Sequence, residues 1–135
     1  MTHDNGIHVL VAEDDLEIAA LLRTTLTKAG YRLSLAYDGE EALRMALSNR
    51  PDLVVLDIQM PGMGGIDFLR RLLRGTQHAK VLVFSARQEA HVIRNLVQEG
   101  IQGYVNKSQS FKELRQAVAK VAQGGNWFDE AFGQT

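Results

Sequence analysis

The chain has 135 residues, 45% apolar and 23% charged, with a net charge of −1. That is enough for one domain with one sizeable core, and it offers no global field to draw nucleic acid or an anionic membrane. The chain holds no cysteine, which excludes disulfides, thiolate metal sites and thiol nucleophiles and fits a reducing compartment such as the cytoplasm. In chain order, residues 1–6 are a polar tail too short for a signal peptide, and no apolar run is long enough to span a bilayer. Residues 7–12 predict a strand running straight into three acids, Glu13, Asp14 and Asp15. Residues 16–29 predict a helix with Ile18, Leu21, Leu22, Leu26 and Ala29 on one apolar face, Asp15 as N-cap and Gly30 as stop. Residues 31–36 alternate as an edge or half-exposed strand does.

Asp38-Gly39 predicts a turn and residues 40–49 a helix with Ala42, Leu43, Ala46 and Leu47 inward, stopped by Pro51. The apolar run 53–56 predicts a buried strand ending on Asp57, and the Pro61-Gly62 pair beyond prevents its extension. Ile66, Leu69, Leu72 and Leu73 mark a third helix; residues 81–84 predict a fourth strand ending in Ser85-Ala86. A helix over 90–99, closed by Gly100, leads to a fifth strand over 101–105 that ends in Asn106-Lys107. Phe111, Leu114, Val118 and Val121 mark the last helix, closed by Gly124-Gly125. Met63, Leu72 and Phe111 read as plain core. Strict strand–helix alternation argues a parallel sheet with helices on both faces and right-handed crossovers.

In a parallel sheet all strand carboxyl ends share one edge, where open α/β folds build their sites. Glu13, Asp14 and Asp15 fall there after the first strand, Asp57 after the third, Ser85 after the fourth and Lys107 after the fifth. Singly each has an ordinary explanation: a turn or cap residue, or a solvated surface charge. Together they bring acids, a hydroxyl and an ammonium to one cleft. Clustered carboxylates repel one another unless a cation lies between them. Oxygen donors with no His or Cys beside them suit a hard ion such as Mg²⁺, with Asp14 and Asp57 as direct ligands and a backbone carbonyl of the loop after Asp57 as a third. A lysine opposite a metal, together with a hydroxyl, can hold the peripheral oxygens of a phosphoryl group, and Asp57 is the central carboxylate for nucleophilic attack.

The segments VLVAEDD at 9–15, LVVLDIQMPGM at 53–63, VFSA at 83–86 and GYVNK at 103–107 occur in this order, each at a strand end. With them the chain resembles the receiver domain of two-component response regulators over residues 7–123, leaving 1–6 as a polar tail and 124–135 as the start of an interdomain linker or a C-terminal tail. The resemblance implies a flavodoxin-like (βα)5 three-layer fold with strand order 2-1-3-4-5. It implies that Asp57 accepts a phosphoryl group from a sensor histidine kinase or phosphotransfer protein, or from a small phosphodonor. It implies a Mg²⁺ site made by Asp14 directly, Glu13 through water, Asp57 and the backbone carbonyl of Gln59. Ser85, with Ala86 beside it, matches the switch hydroxyl, and Lys107 the lysine that pairs with the phosphoryl group. Tyr104 matches the switch aromatic, which turns inward as Ser85 moves. Gln59 and Arg87 match positions that tune dephosphorylation.

Three departures from the family pattern stand out. Ser108 follows Lys107 where many receivers have a proline after a cis bond; a non-proline cis bond costs about 2.5–4 kcal/mol, so a trans bond and a differently shaped loop are expected. Gly64-Gly65 replaces the common Asp-Gly and is expected to loosen the loop after Asp57. The acid pair begins with Glu13, a compatible variant. The Lys107-Ser108 pair, the stretch 110–114 and Gly124-Gly125-Asn126-Trp127-Phe128 resemble receivers that drive a NarL/LuxR-type helix-turn-helix domain. DNA binding is therefore expected only through an output domain that this sequence does not contain; a stand-alone receiver working by protein contacts is the alternative. Trp127, Phe128 and Phe132 read as a linker or tail that docks, against a frayed end.

The expected mechanism is a two-state switch in a cytoplasmic protein that catalyses its own phosphorylation and dephosphorylation but is a signalling switch, not an enzyme. The face of the fourth helix, fifth strand and fifth helix, with Arg87, Arg94, Lys112, Arg115 and Lys120 against Glu89, Glu99 and Glu113, is one surface for a partner or a homodimer; the first and fifth helices are the other. A rival of another class is an aspartyl-phosphate phosphohydrolase. Such enzymes carry a second Asp two residues after the nucleophile, where this chain has Gln59, and a cap domain that is absent here. A receiver-like adaptor that never takes phosphate is disfavoured because every catalytic position is filled.

Overall fold

The structure, a computed structural model, describes residues 6–76, 78–86, 89–108 and 111–128. Arg87, Ser110 and Phe132, singled out above, lie outside the described residues. Strands and helices alternate as β1 (His8–Ala12), α1 (Leu16–Lys28), β2 (Arg32–Ala36), α2 (Gly39–Asn49), β3 (Leu53–Leu56), α3 (Gly65–Gly75), β4 (Lys80–Ser85), α4 (Ala90–Glu99), β5 (Gly103–Asn106) and α5 (Phe111–Ala122). The strands form one parallel sheet in the order β2-β1-β3-β4-β5. The chain moves from β1 outward to β2, then returns past β1 to β3. That reversal opens a crevice at the carboxyl ends of β1 and β3.

Period-two alternation along the strands feeds two cores. Leu10, Val54, Leu56, Val81 and Val83 face Ala42, Ala46, Phe68, Leu69, Leu72, Ile93 and Leu96 of α2, α3 and α4. Val9, Val11, Leu53, Val55, Leu82 and Val105 face Leu22, Leu26, Leu114, Val118 and Val121 of α1 and α5. Because β1, β3 and β4 are covered on both sides, their sequences are nearly unbroken runs of Val and Leu. β2 is one of the two edge strands, and of its residues only Ala36 is buried.

Helix starts are set by side chains. Asp15 accepts hydrogen bonds from the Glu17 and Ile18 amides at 2.9 and 3.1 Å, as the N-cap expectation requires. Asp38 accepts from the Glu41 amide at 2.8 Å, and Glu41 reaches back to the Tyr37 amide at 2.7 Å. That reciprocal pair draws Gly39 into the helix, one residue earlier than expected.

Other differences concern helix phase. Leu21 and Leu47 are 51% and 40% exposed rather than inward, and Ala29 is exposed as well. Phe68, not among the expected core positions, is fully buried. Gly65 belongs to the first turn of α3 and packs so closely on Ile58 that a Cβ there would stand 2.6 Å from Ile58 Cγ2, whereas Gly64, where the family commonly has Asp, caps α3 with no side-chain bond. The Lys107–Ser108 bond is trans, and the Ser108 amide donates to Asn106 Oδ1 at 2.8 Å, an Asx turn that shapes the loop without a proline.

Beyond α5, Gly124 at φ +98° turns the chain, with the Gly125 amide bonded to Lys120 O at 2.9 Å. The chain then returns to lay Trp127 beside Gly103 in a parallel bridge. Among the described residues no helix is long and apolar enough to cross a membrane.

Candidate functional site

The crevice at the switch point collects the expected residues. The sheet pairing continues one residue past β1 and β3: the Glu13 amide donates to Ala36 O at 2.9 Å and the Asp57 amide to Ala12 O at 3.0 Å. Backbone bonds thus fix both acids at the sheet edge. Glu13 is 1% and Asp57 5% exposed, while Asp14 faces solvent at the mouth. One carboxylate oxygen from each of Glu13, Asp14 and Asp57 lies within 4.8 Å of the others.

Lys107 reaches across this cluster. Its ammonium stands 3.0 Å from Asp57 Oδ2 and 2.7 Å from Glu13 Oε1. The second contact is an ion pair only: Glu13 Oε1 is buried and makes no aligned hydrogen bond. Burial raises the Glu13 carboxyl above its ordinary pKa, against the Lys107 ammonium and the Asp15 amide, which favour its charged form. For Lys107, burial pulls the other way, but its bonds to Glu13 and Asp57 outweigh it and hold the ammonium charged. The remaining oxygens are held by backbone: Glu13 Oε2 accepts from the Asp15 amide at 3.1 Å, and Asp57 Oδ1 from the Gln59 amide at 2.9 Å.

Ser85 is fully buried at the end of β4, next to exposed Ala86. Its hydroxyl donates to Gln59 Oε1 at 3.5 Å, a long bond, and its carbonyl accepts from the Lys107 amide at 2.9 Å. Tyr104 is 3% exposed, with its hydroxyl 3.5 Å from Ser85 O. It therefore faces inward. Gln59 lies exposed two residues past Asp57, and an amide there cannot serve as the general acid that a phosphohydrolase uses. One participant was not legible as such. The Phe84 ring, 5.9 Å from the Lys107 ammonium, leans on Phe111 with centroids 6.1 Å apart. Its only sequence signal is its place immediately before Ser85. Phe111, read as plain core, backs it.

This arrangement suits a hard cation. The donors are all oxygen, three carboxylates converge, and one buried oxygen lacks an aligned partner.

Comparison with known proteins agrees with the geometry. The response regulator receiver domain family matches residues 9–119. Response regulator GacA of Pseudomonas aeruginosa is 33% identical over 130 residues, covering 95% of this chain and 61% of GacA. Response regulator MprA of Mycobacterium tuberculosis is 38% identical over 110 residues, covering 81% of this chain and 47% of MprA. The chain thus spans about half to three fifths of the length of these relatives. A LuxR-family two-component response regulator from Aurantimonas superposes with a TM-score of 0.86 at 28% identity, over 94% of this chain and 92% of that one. Strand order, filled site and family match agree, and the chain belongs to the receiver domains of two-component response regulators, a family of signalling switches.

Proposed function

We propose that this receiver is switched by phosphorylation of Asp57. The observation that carries the reading is the convergence of the Glu13, Asp14 and Asp57 oxygens within 4.8 Å, bridged by Lys107. Asp14, Asp57 and the Gln59 backbone carbonyl would hold Mg²⁺ directly, with Glu13 through water. The ion supplies charge neutralisation at the phosphoryl oxygens. One Asp57 carboxylate oxygen attacks phosphorus. The P–N bond of a phosphohistidine breaks, or the P–O bond of a small acyl phosphate, and the electron pair leaves with the imidazole or carboxylate.

The acyl phosphate carries about −1.5 to −2 charges where the Asp57 carboxylate carried −1. Lys107 moves from Asp57 Oδ2 to a phosphoryl oxygen, Ser85 turns its hydroxyl from Gln59 to another, and Tyr104 keeps its inward place behind them. Gln59 at the rim governs access of the hydrolysing water and so the lifetime of the signal, and Arg87 matches the other sequence position that tunes it. The protein thereby catalyses its own phosphorylation and dephosphorylation.

The partners that follow are a sensor histidine kinase or a phosphotransfer protein, met in the cytoplasm. A second copy would meet it on the α4-β5-α5 face, with the α1 and α5 face as the alternative. Glu99 of the first face is already engaged by Arg70 through two hydrogen bonds of 3.1 and 2.9 Å. Regulation of transcription would act through a DNA-binding output domain of the kind that follows the receiver in NarL/LuxR-type regulators.

Incubation with acetyl phosphate and Mg²⁺ should add the mass of one phosphoryl group. The adduct should be absent in Asp57→Ala and in the presence of a chelator. No adduct with acetyl phosphate or with a phosphorylated kinase domain would overturn the switch.

A further inference from the structure

β5 is the last strand of the sheet, and its outer edge is not bare. The Trp127 amide donates to Gln102 O at 3.0 Å, and the Tyr104 amide donates to Trp127 O at 2.8 Å. Trp127 packs on the core shared with α1 and α5, and Phe128 on the core shared with α2, α3 and α4. Consecutive side chains thus straddle the sheet, as those of a strand do. The approach is built into β5. A Cβ on Gly103 would stand 2.9 Å from Trp127 O and 2.6 Å from Leu82 Cδ1, so a side chain there would expel the segment.

The residues held from outside are those of the strand that serves the pocket. Tyr104, whose amide Trp127 engages, reaches Ser85 O with its hydroxyl, and Lys107, the residue after the same strand, has its amide on Ser85 O.

We propose that residues 126–128 are a strap on the edge of β5 whose grip is coupled to loading of the Asp57 pocket. The coupling rests on the phosphorylation reading above; the docked strap does not. With the pocket unloaded, the Lys107 ammonium, one residue past β5, is shared between the Glu13 and Asp57 carboxylates, while its amide stays on Ser85 O. Once loaded, Lys107 and the end of β4 at Ser85, which pairs with Asn106 of β5, are both fixed on the phosphoryl group. A better-fixed β5 is a better template for the strap, so loading shifts the population toward the docked form. The chain beyond residue 128 starts from this strap, and its starting point is therefore firmer in the phosphorylated protein.

Trp127 is the one tryptophan of the chain, so its emission reports the strap, and Tyr104 amide exchange reports the bond to Trp127 O. In the unloaded protein, Gly103→Ala should lower Tyr104 amide protection about tenfold and red-shift the emission. Trp127→Ala, which leaves Gly103 in place, should lower the same protection. Unchanged protection in both variants overturns the strap.

After treatment with acetyl phosphate and Mg²⁺, with the adduct confirmed by intact mass in the same sample, Tyr104 protection should rise about fivefold or more, the lower range of coupling between sites. By reciprocity Trp127→Ala should lower the affinity of the pocket for a phosphoryl mimic such as beryllofluoride by the same factor. An adduct that leaves protection and emission unmoved, or lowers protection, overturns the coupling alone. Absence of any adduct overturns the receiver mechanism and the coupling together, while the unloaded variants still decide whether the strap exists.

Discussion

Lys107 sets the balance of the pocket, standing 2.7 Å from Glu13 and 3.0 Å from Asp57. Without it two nearly buried carboxylates face each other, with Asp14 at the rim. Breaking a buried ion pair costs about 3–5 kcal/mol. The Lys107 side chain keeps 17% of its exposure, so water enters and about 1–3 kcal/mol is the expected loss for Lys107→Ala. The same change removes the charge that competes with a divalent cation for these oxygens. Lys107→Ala should therefore still bind Mg²⁺, and its melting temperature should rise more on Mg²⁺ addition than that of the parent protein. Its response to acetyl phosphate should weaken. A variant that no longer binds Mg²⁺, followed by calorimetric titration, would contradict the counter-charge role. The identities of Glu13, Asp14, Asp57, Ser85 and Lys107 were legible because each follows an apolar run at a strand end. The span of Lys107 to Glu13 was not: it depends on how a long side chain crosses between β5 and β1, which no local pattern encodes.

At the scale of elements, what was legible followed the physics of burial on two sides. Runs such as Leu53–Leu56 announce covered strands, and strict alternation leaves little choice of architecture. Helix rotation was less legible. Leu21 and Leu22, and Ala46 and Leu47, are adjacent apolar pairs set about 100° apart around their helices. Which member of such a pair turns inward is decided by packing on the sheet, and in α3 both Phe68 and Leu69 do. The start of α3 shows the same point with consequence for the site. Gly64, its N-cap, has no side-chain cap bond and open space around its Cβ position, whereas Gly65 lies hard against Ile58, the neighbour of Asp57. Gly64→Asp should stabilise the fold by about 0.5–1 kcal/mol, by capping α3 and by stiffening the unfolded chain. Gly65→Ala should cost about 1–3 kcal/mol through overpacking and should also slow phosphoryl uptake by displacing Ile58. Urea midpoints at constant m-value test both; equal effects from the two glycines would refute the assigned contact.

Across the whole molecule, the sheet has a reactive edge and a structural one. At the amino ends of the strands, Asp52 ties three of them together. Its carboxylate accepts from the His8 amide at 2.9 Å and from His78 Nε2 at 2.9 Å. Its own amide donates to His8 O at 2.9 Å, and its carbonyl accepts from Lys80 at 3.0 Å. The His8 amide, opposed in part by burial and aided by the His78 ring, holds the Asp52 carboxyl below the usual carboxylate range. A carboxyl that binds its proton less readily when folded adds stability above the unfolded pKa of about 3.9, and that stability drains away as pH falls through the lower folded value. Hydrogen bonds to a charged group contribute about 1.5–3 kcal/mol. The Asp52 side chain is 40% exposed, so screening brings the expectation for Asp52→Asn to about 1 kcal/mol at pH 7. The loss should shrink toward zero as the pH is lowered past 4 to about 2, read from urea midpoints across that range. Phosphoryl uptake at Asp57 should be unchanged, because the strands hold the two edges apart. A difference between the parent and the variant that stays constant down to about pH 2 would show that the Asp52 charge does not serve the fold; slowed uptake would show that the two edges are mechanically linked.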